Sequence, residues 1–517
     1  MSSSDRPLVL WASALAVAGL GTWLMFDAMP GINWGIWTGA AAAVLFVFAR
    51  KRTPTLVVLA FTATVLALGA SITADPFISA LIVLSVILYL GMAMLLSADA
   101  TLSRITPVFA IPSPIVAFAS AVTESFRRAT DALQLVRSSR ARSVVRGIAI
   151  TLPVLVIFTL LLASADPVFA EWRDAIQELL ESLAFIPRTI FFIGLLTIVL
   201  GAYGFAERNE VPPVRVAGER SAWLGTTERL ILLGGVAILL WVFIAVQVSY
   251  LFGNLPQAAG SNMTFAEYAR RGFAELTIVA SISVLLILLG ERYGKREKRG
   301  LTLGVTIALI VAVLFLLGSA FNRVLLYEQA YGFTTARLYA QSYMVVVTIV
   351  LLALAWELRG ELDASRLFRT AGMAATLAFI VLIYWNHEAW IAGKNIDRFR
   401  ESGQLDNRYL VRDLSLNAVP TLVGRLASIP EPARSDLRRA LENQYKGRRN
   451  LFDNRWFEWN QRRSEARSAL ENLGTPGLLD QARPVSAPYL RPYSSQNTAI
   501  ALMPIRKFSS LIHSSGA

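Results

Sequence analysis

Apolar residues in this chain come in long runs separated by short polar stretches, and eleven such runs fall within the first 386 residues. They cover 8–26, 33–49, 55–73, 77–97, 144–164, 187–205, 229–252, 271–290, 301–321, 341–357 and 367–386. Each is about 17 to 25 residues long, and at about 1.5 Å per residue a helix of that length crosses a hydrocarbon core about 30 Å thick. The pattern predicts an all-α polytopic membrane bundle of about 11 spans over residues 1–386. A polar, helix-patterned domain follows over 387–473, and a Pro- and Ser-rich irregular tail over 474–517.

The polar stretches set the orientation. With the N-terminus inside, inner loops hold 23 Lys and Arg and outer loops hold six: Arg173, Arg188, Arg270, Arg271, Arg323 and Arg337. Basic residues concentrate on the cytoplasmic side, so the N-terminus is read as inside and the C-terminal domain as extracytoplasmic. Long translocated domains escape this rule, so the basic C-terminal domain does not oppose it.

Three local patterns refine the picture. Gly31, Gly35 and Gly39 form a small-residue stripe that lets another helix approach closely, either within the chain or from a second copy in a homo-oligomer. Val122, Phe126, Ala129, Leu133 and Val136 mark one face of a basic helix near 115–139, expected at the inner-leaflet interface or packed under the bundle. Pro212 and Pro213 make 206–228 an irregular cytoplasmic linker.

A hydrophobic content of 55% and a mean hydropathy of +0.51 lie far outside the soluble range. The net charge is +13, and most of the basic residues among the first 386 sit in short loops on one side, which implies anionic headgroups at the cytoplasmic face and no nucleic acid. The chain has no cysteine and two histidines, His387 and His513, which excludes thiolate chemistry and a multi-His metal centre. No cofactor or metal motif occurs.

Candidate chemistry concentrates at the outer face. Asp166-Pro167 opens an acidic helix over about 168–184, with Asp166 fit to cap it. Glu267, Arg271 and Glu275 recur every four residues and stack on one face, beside Arg270. Span nine is expected to run past the membrane, end at Gly332 and restart at Thr334, which puts Arg323, Glu328 and Arg337 on a hairpin. The candidate outer site is therefore Asp166, Glu267, Arg270, Arg271, Glu275, Arg323, Glu328 and Arg337. In the C-terminal domain, Trp456, Trp459, Arg463, Ala466, Leu470 and Leu473 read as one packed helix.

Several motifs together resemble a known family. They are Leu162 to Phe169, Glu267 to Phe273, Tyr327 to Gly332, Asn395 to Arg398, Asp406 to Leu410, Ala418 to Pro420 and Trp456 to Asn460. This set is similar to a bacterial multi-pass membrane family known as a domain of unknown function (number 4173, related to number 4153). The resemblance spans roughly 150–470 and implies a bacterial plasma membrane location and no particular reaction. Asn417 and Trp390 depart from that family's commoner residues, which is expected to affect surface detail only.

Three functions fit. The first is a non-enzymatic envelope scaffold or signalling component that displays 387–473 to an envelope protein partner. The second is a transporter or channel. The third is a membrane glycosyltransferase-like enzyme with an extracytoplasmic site, which the six-residue first outer loop disfavours.

Overall fold

The computed structural model of the protein describes residues 6–98, 110–133, 151, 185–207, 224–252, 273–293, 299–360, 363–452, 455–475 and 477–480. The span at 144–164, Asp166 and its helix, most of the 206–228 linker, the stretch holding Glu267, Arg270 and Arg271, and the tail beyond 480 lie outside the described residues.

All regular structure among the described residues is helical. The membrane part comprises α1 (Arg6–Met25), α2 (Ile32–Phe48), α3 (Pro54–Leu68), α4 (Pro76–Ala98), α5 (Ser113–Leu133), α6 (Phe185–Ala206), α7 (Thr226–Phe252), α8 (Phe273–Tyr293), α9 (Arg299–Tyr331), α10 (Thr335–Glu357) and α11 (Ala364–Tyr384). The C-terminal domain adds α12 (His387–Ser402), α13 (Val419–Arg425), α14 (Ala433–Tyr445) and α15 (Gln461–Glu471), with short 3-10 and π turns between them. Among the described residues, eight helices are long and apolar enough to cross a membrane: α1, α3 with its following turn, α4, α6, α7, α9, α10 and α11. The 17-residue α2 is shorter, and α8 packs beside α7 and α9.

The helices gather into two lobes. One core joins α1 to α6 through Leu10, Leu45, Leu56, Leu95, Ala121 and Tyr203. A second joins α7 to α11 through Leu233, Ala280, Ile310, Leu316 and Leu351. They meet along a narrow apolar seam of Leu66, Ile78, Ile82 and Val86 against Ile383. Large side chains point outward: Phe61, Ile231 and Trp356 are each about two-thirds exposed, as lipid-facing residues are.

Small residues do the close packing. A Cβ on Gly201 would lie 1.8 Å from the Ala121 carbonyl oxygen, so α5 and α6 touch backbone to backbone. The buried face of α5 is therefore Ser113, Ala117, Ala121 and Ser125. The apolar face expected from sequence is not the buried one: Val122, Phe126 and Ala129 are only half-buried, and the helix packs against α4 and α6. Its first turns lie beside Gly91, two turns before the end of α4, with Ile111, Ile115 and Phe118 exposed at that depth. Its far end closes the first lobe: Arg128 pairs with Glu124 at 3.1 Å and with Glu207 at 3.2 Å, and Arg6 joins Glu207 at 3.6 Å.

The glycine stripe is consumed within the chain. A Cβ on Gly35 would meet the Leu68 side chain at 2.2 Å, one on Gly39 would touch Thr64 at 3.4 Å, and one on Gly31 would strike the Glu458 carbonyl at 2.5 Å. Gly31 and Gly35 are buried against the chain itself, and Gly39 is half-buried beside Thr64.

Two expectations for the C-terminal domain are corrected. Trp456 sits in a separate 3-10 turn, Trp456–Glu458, and α15 starts only after Asn460 caps it. Trp456 and Trp459 are exposed by 65% and 47%; the Trp456 ring lies 6.0 Å from Trp23 of α1 and serves no core. The tail boundary at 474 also falls short, because Leu478 and Leu479 are buried and pair through backbone with Gly447 and Arg449.

Candidate functional site: a buried polar seam under the C-terminal domain

The chain leaves α3 through Thr73-Ala74-Asp75 and enters α4 at Pro76. An Asp before Pro opens a helix well, because Pro needs no N–H partner and the carboxylate accepts from the first free amides. Asp75 Oδ1 accepts from Phe77 N at 2.8 Å, and the residue is 6% exposed. Its other oxygen, Oδ2, lies 2.9 Å from the Tyr339 hydroxyl of α10. That hydroxyl is 3.1 Å from His387 Nε2 at the start of α12. His387 Nδ1 lies 3.1 Å from the Leu382 carbonyl oxygen. One chain of bonds thus ties the first lobe, the second lobe and the C-terminal domain together. Aromatic contacts hold Tyr339 in place, with Phe77 stacked at 5.4 Å and His387 edge-on at 5.5 Å.

Glu388, next to His387, is 2% exposed and accepts from Ser415 N at 3.0 Å and from Ser415 Oγ. Burial, with the nearby Asp75 carboxylate adding to it, pushes its carboxyl up to about 7 against the opposing bonds from Ser415 and Asn417. Burial lowers the proton affinity of His387, and Asp75 works against that. Asn417 accepts from Ala74 N at 2.8 Å and donates to Thr73 Oγ1 at 3.1 Å. Asn460 donates to the Ala70 and Thr73 carbonyls, both at 2.8 Å. Asn417 is 4% exposed, so its reading as surface detail is corrected: it is a buried bridge between domain and bundle.

The same domain caps the hairpin between α9 and α10. Gly332 has φ +86 and Thr334 is extended, as the sequence predicts. Asn395 of α12 accepts from Phe333 N and donates to Phe333 O, each at 2.8 Å, while Arg398 donates to the Gln329 and Ala330 carbonyls. Two motifs that are distant in sequence, Tyr327 to Gly332 and Asn395 to Arg398, are therefore one contact.

Of the outer residues proposed from sequence, Asp166, Glu267, Arg270 and Arg271 lie outside the described residues. Glu275 is exposed in the first turn of α8. Arg323 and Glu328 lie on α9 and Arg337 on α10. Glu328 is buried and accepts from Gln341 Nε2 at 2.9 Å. Arg337 donates to the Gly332 carbonyl and covers the Tyr327 ring at 4.2 Å. Glu328 and Arg337 thus both make their contacts within the hairpin.

Sequence reasoning missed Asp75, Tyr339, Glu388, Ser415, Asn417 and Asn460, and treated His387 as solitary. One signal was available: Asp75-Pro76 repeats the Asp166-Pro167 signature. The other partners are hundreds of residues apart in sequence, and no local pattern announces them.

The seam can hold and exchange protons, and no group of three His, Asp or Glu among the described residues is placed to hold a metal ion. A separate open recess of about 500 Å³ between α12 and α13 is lined by Trp390, Lys394, Asp397 and Arg425, the last two paired at 2.6 Å.

Comparison with curated proteins gave no match, and comparison with solved structures gave none. The family model that matches is that of the relative of the family resembled above. The model for DUF4153, a domain of unknown function, covers residues 60–424, most of the chain and every seam residue except Asn460, and the chain belongs to that family.

Proposed function

We propose that this protein is a non-enzymatic scaffold of the bacterial inner membrane, with its N-terminus inside and its C-terminal domain acting as an extracytoplasmic cap across the two membrane lobes. The observation that carries the reading is the seam itself: Asp75, Tyr339, His387, Glu388, Asn417 and Asn460 bond to one another and to backbone across three parts of the chain. A catalytic or transport site needs polar groups facing a cleft, and all of these but the part-buried Tyr339 are nine-tenths buried or more. The outward faces of α14 and α15, rich in Arg and Glu, are the surface offered to an envelope partner.

The test uses the absence of native cysteine. Trp23→Cys with Trp456→Cys places thiols at two accessible positions on either side of the seam. At about pH 6.5 a short bifunctional maleimide in native membranes should join nearly all molecules. A joined fraction below about half would reveal a working state with the cap displaced, as a transporter cycling its lobes requires, and would sink the scaffold reading. Reporters fused after Ala517 and after Arg299 should score outside and inside respectively.

A further inference from the structure

We propose that the Asp75–Tyr339–His387 chain binds one shared proton, and that release of this proton to water loosens the C-terminal cap from the membrane lobes. The inference rests on the cap reading above and adds its regulation.

The argument is a count of hydrogens. Tyr339 carries one hydroxyl hydrogen, yet its oxygen is 2.9 Å from Asp75 Oδ2 and 3.1 Å from His387 Nε2. The Leu382 carbonyl at 3.1 Å requires a hydrogen on His387 Nδ1. If Tyr339 donates to Asp75, then His387 Nε2 must also carry a hydrogen and donate to the Tyr339 oxygen. If Tyr339 donates to His387, a hydrogen must lie between Asp75 and the Tyr339 oxygen. Both arrangements contain one proton beyond a carboxylate and a neutral imidazole. Without it, two lone pairs face each other in a site that is 6% exposed or less at Asp75 and His387, where an unmade bond is costly.

Among the surroundings Glu388 acts in the same direction, while burial of His387 acts against it. The titratable and charged groups that face the chain are Glu388 on α12, Tyr409 in the π turn, Tyr445 on α14 and Arg337 on α10. Arg337 is turned to the hairpin, donating to Gly332 and covering Tyr327. Burial raises Tyr409 and Tyr445, which keeps both neutral. Glu388 deprotonates around pH 7 and adds a second negative charge beside Asp75. An undocked His387 returns to an ordinary value near about 6.5, so above about pH 6.5 a docked chain that keeps the shared proton holds one the undocked state lacks; burial of His387 opposes this, and the paired contacts to the Tyr339 oxygen favour it. Docking therefore weakens as pH rises, by up to about tenfold per pH unit for each proton released.

The test is a distance measurement on the full chain in lipid nanodiscs. Spin labels at Ile190→Cys on α6 and Arg439→Cys on α14, both exposed, report across the seam. Pulsed electron–electron resonance should give a narrow distance at about pH 6 that loses at least half its amplitude at about pH 9. Asp75→Asn with Glu388→Gln supplies the missing hydrogen from an amide and removes the second carboxyl, so the narrow distance should persist at both pH values. Tyr339→Phe cuts the chain and should give the alkaline distribution already at about pH 6, with no further change. A wild-type distance equally narrow at both values, or a Tyr339→Phe protein with the full wild-type response, would overturn the proton latch while leaving the cap in place. A broad wild-type distribution at both values would overturn the cap itself.

Discussion

Asn460→Ala is the sharpest probe of the seam, because one side chain there makes three bonds that each have a countable cost. Its amide donates to the Ala70 and Thr73 carbonyls at 2.8 Å, and its oxygen accepts from Arg463 N at 3.0 Å as the cap of α15. The residue is 2% exposed, so water does not replace a lost partner. At about 1 kcal/mol for each buried bond or cap, truncation costs about 3 kcal/mol. Only the two bonds to Ala70 and Thr73, about 2 kcal/mol, belong to docking, because the α15 cap is lost in both states; at about 1.4 kcal/mol per factor of ten, the docked population falls on the order of thirtyfold relative to the undocked one. Two amides read this directly: Ala74 N bonds to Asn417 and Ile32 N to the Trp459 carbonyl, both across the seam. Hydrogen exchange of peptides covering these positions, at one fixed pH, should accelerate by about that factor. Asn460→Asp separates the contributions. It keeps the cap but sets a carboxylate against two carbonyl oxygens, so it should be at least as damaging as alanine. Wild-type exchange in the Asp variant would refute the reasoning, since the cap alone would then explain Asn460.

Gly201→Leu should abolish the α5–α6 crossing, where a Cβ already lies 1.8 Å from Ala121 O, and strongly lower thermal stability in detergent; Gly194→Leu, on the same helix with open space around it, should leave the melting curve unchanged. Arg229→Ala removes a buried guanidinium from its ion pair with the part-buried Glu291 in the second lobe and should cost about 2 kcal/mol, while Arg229→Met with Glu291→Met should recover much of it in a double-mutant cycle. Glu388 has a raised value when docked, so its contribution is complete below its usual 4.5 and is lost as pH rises through about 7. Glu388→Gln should therefore match wild type in thermal stability in acid and exceed it above pH 7.

How much of this was legible beforehand divides along physical lines. Length and hydropathy alone predict membrane helices, because burial in lipid is a local property of about 20 consecutive residues. The hairpin at Gly332 and Thr334 was readable for the same reason, since a left-handed turn and a helix start depend on one or two residues. The α5 helix was readable but its buried face was not. In water the large apolar residues turn inward, whereas in a bilayer they can face lipid, and Ala117 packs against Gly91 and Ala121 against Gly201 instead. The sequence also assigned the polar domain but made its aromatic residues a core; Trp456 meets Trp23 at the seam because the domain lies on the bundle.

What only the tertiary structure decided is the seam. Asp75 and Tyr339 are 264 residues apart, and Thr73 and Asn417 are 344 apart. No periodicity links such pairs, because a helix repeats over three or four residues and says nothing of what reaches its end from elsewhere. Each residue read alone is ordinary: a helix cap, an interfacial tyrosine, a solitary histidine. Their chemistry arises when three chain segments exclude water around one hydroxyl, and desolvation is a property of the assembled fold. The sequence by itself determined that this chain enters a membrane and carries a helical domain after it; folding decided that the domain closes over both lobes and which buried side chains hold it there.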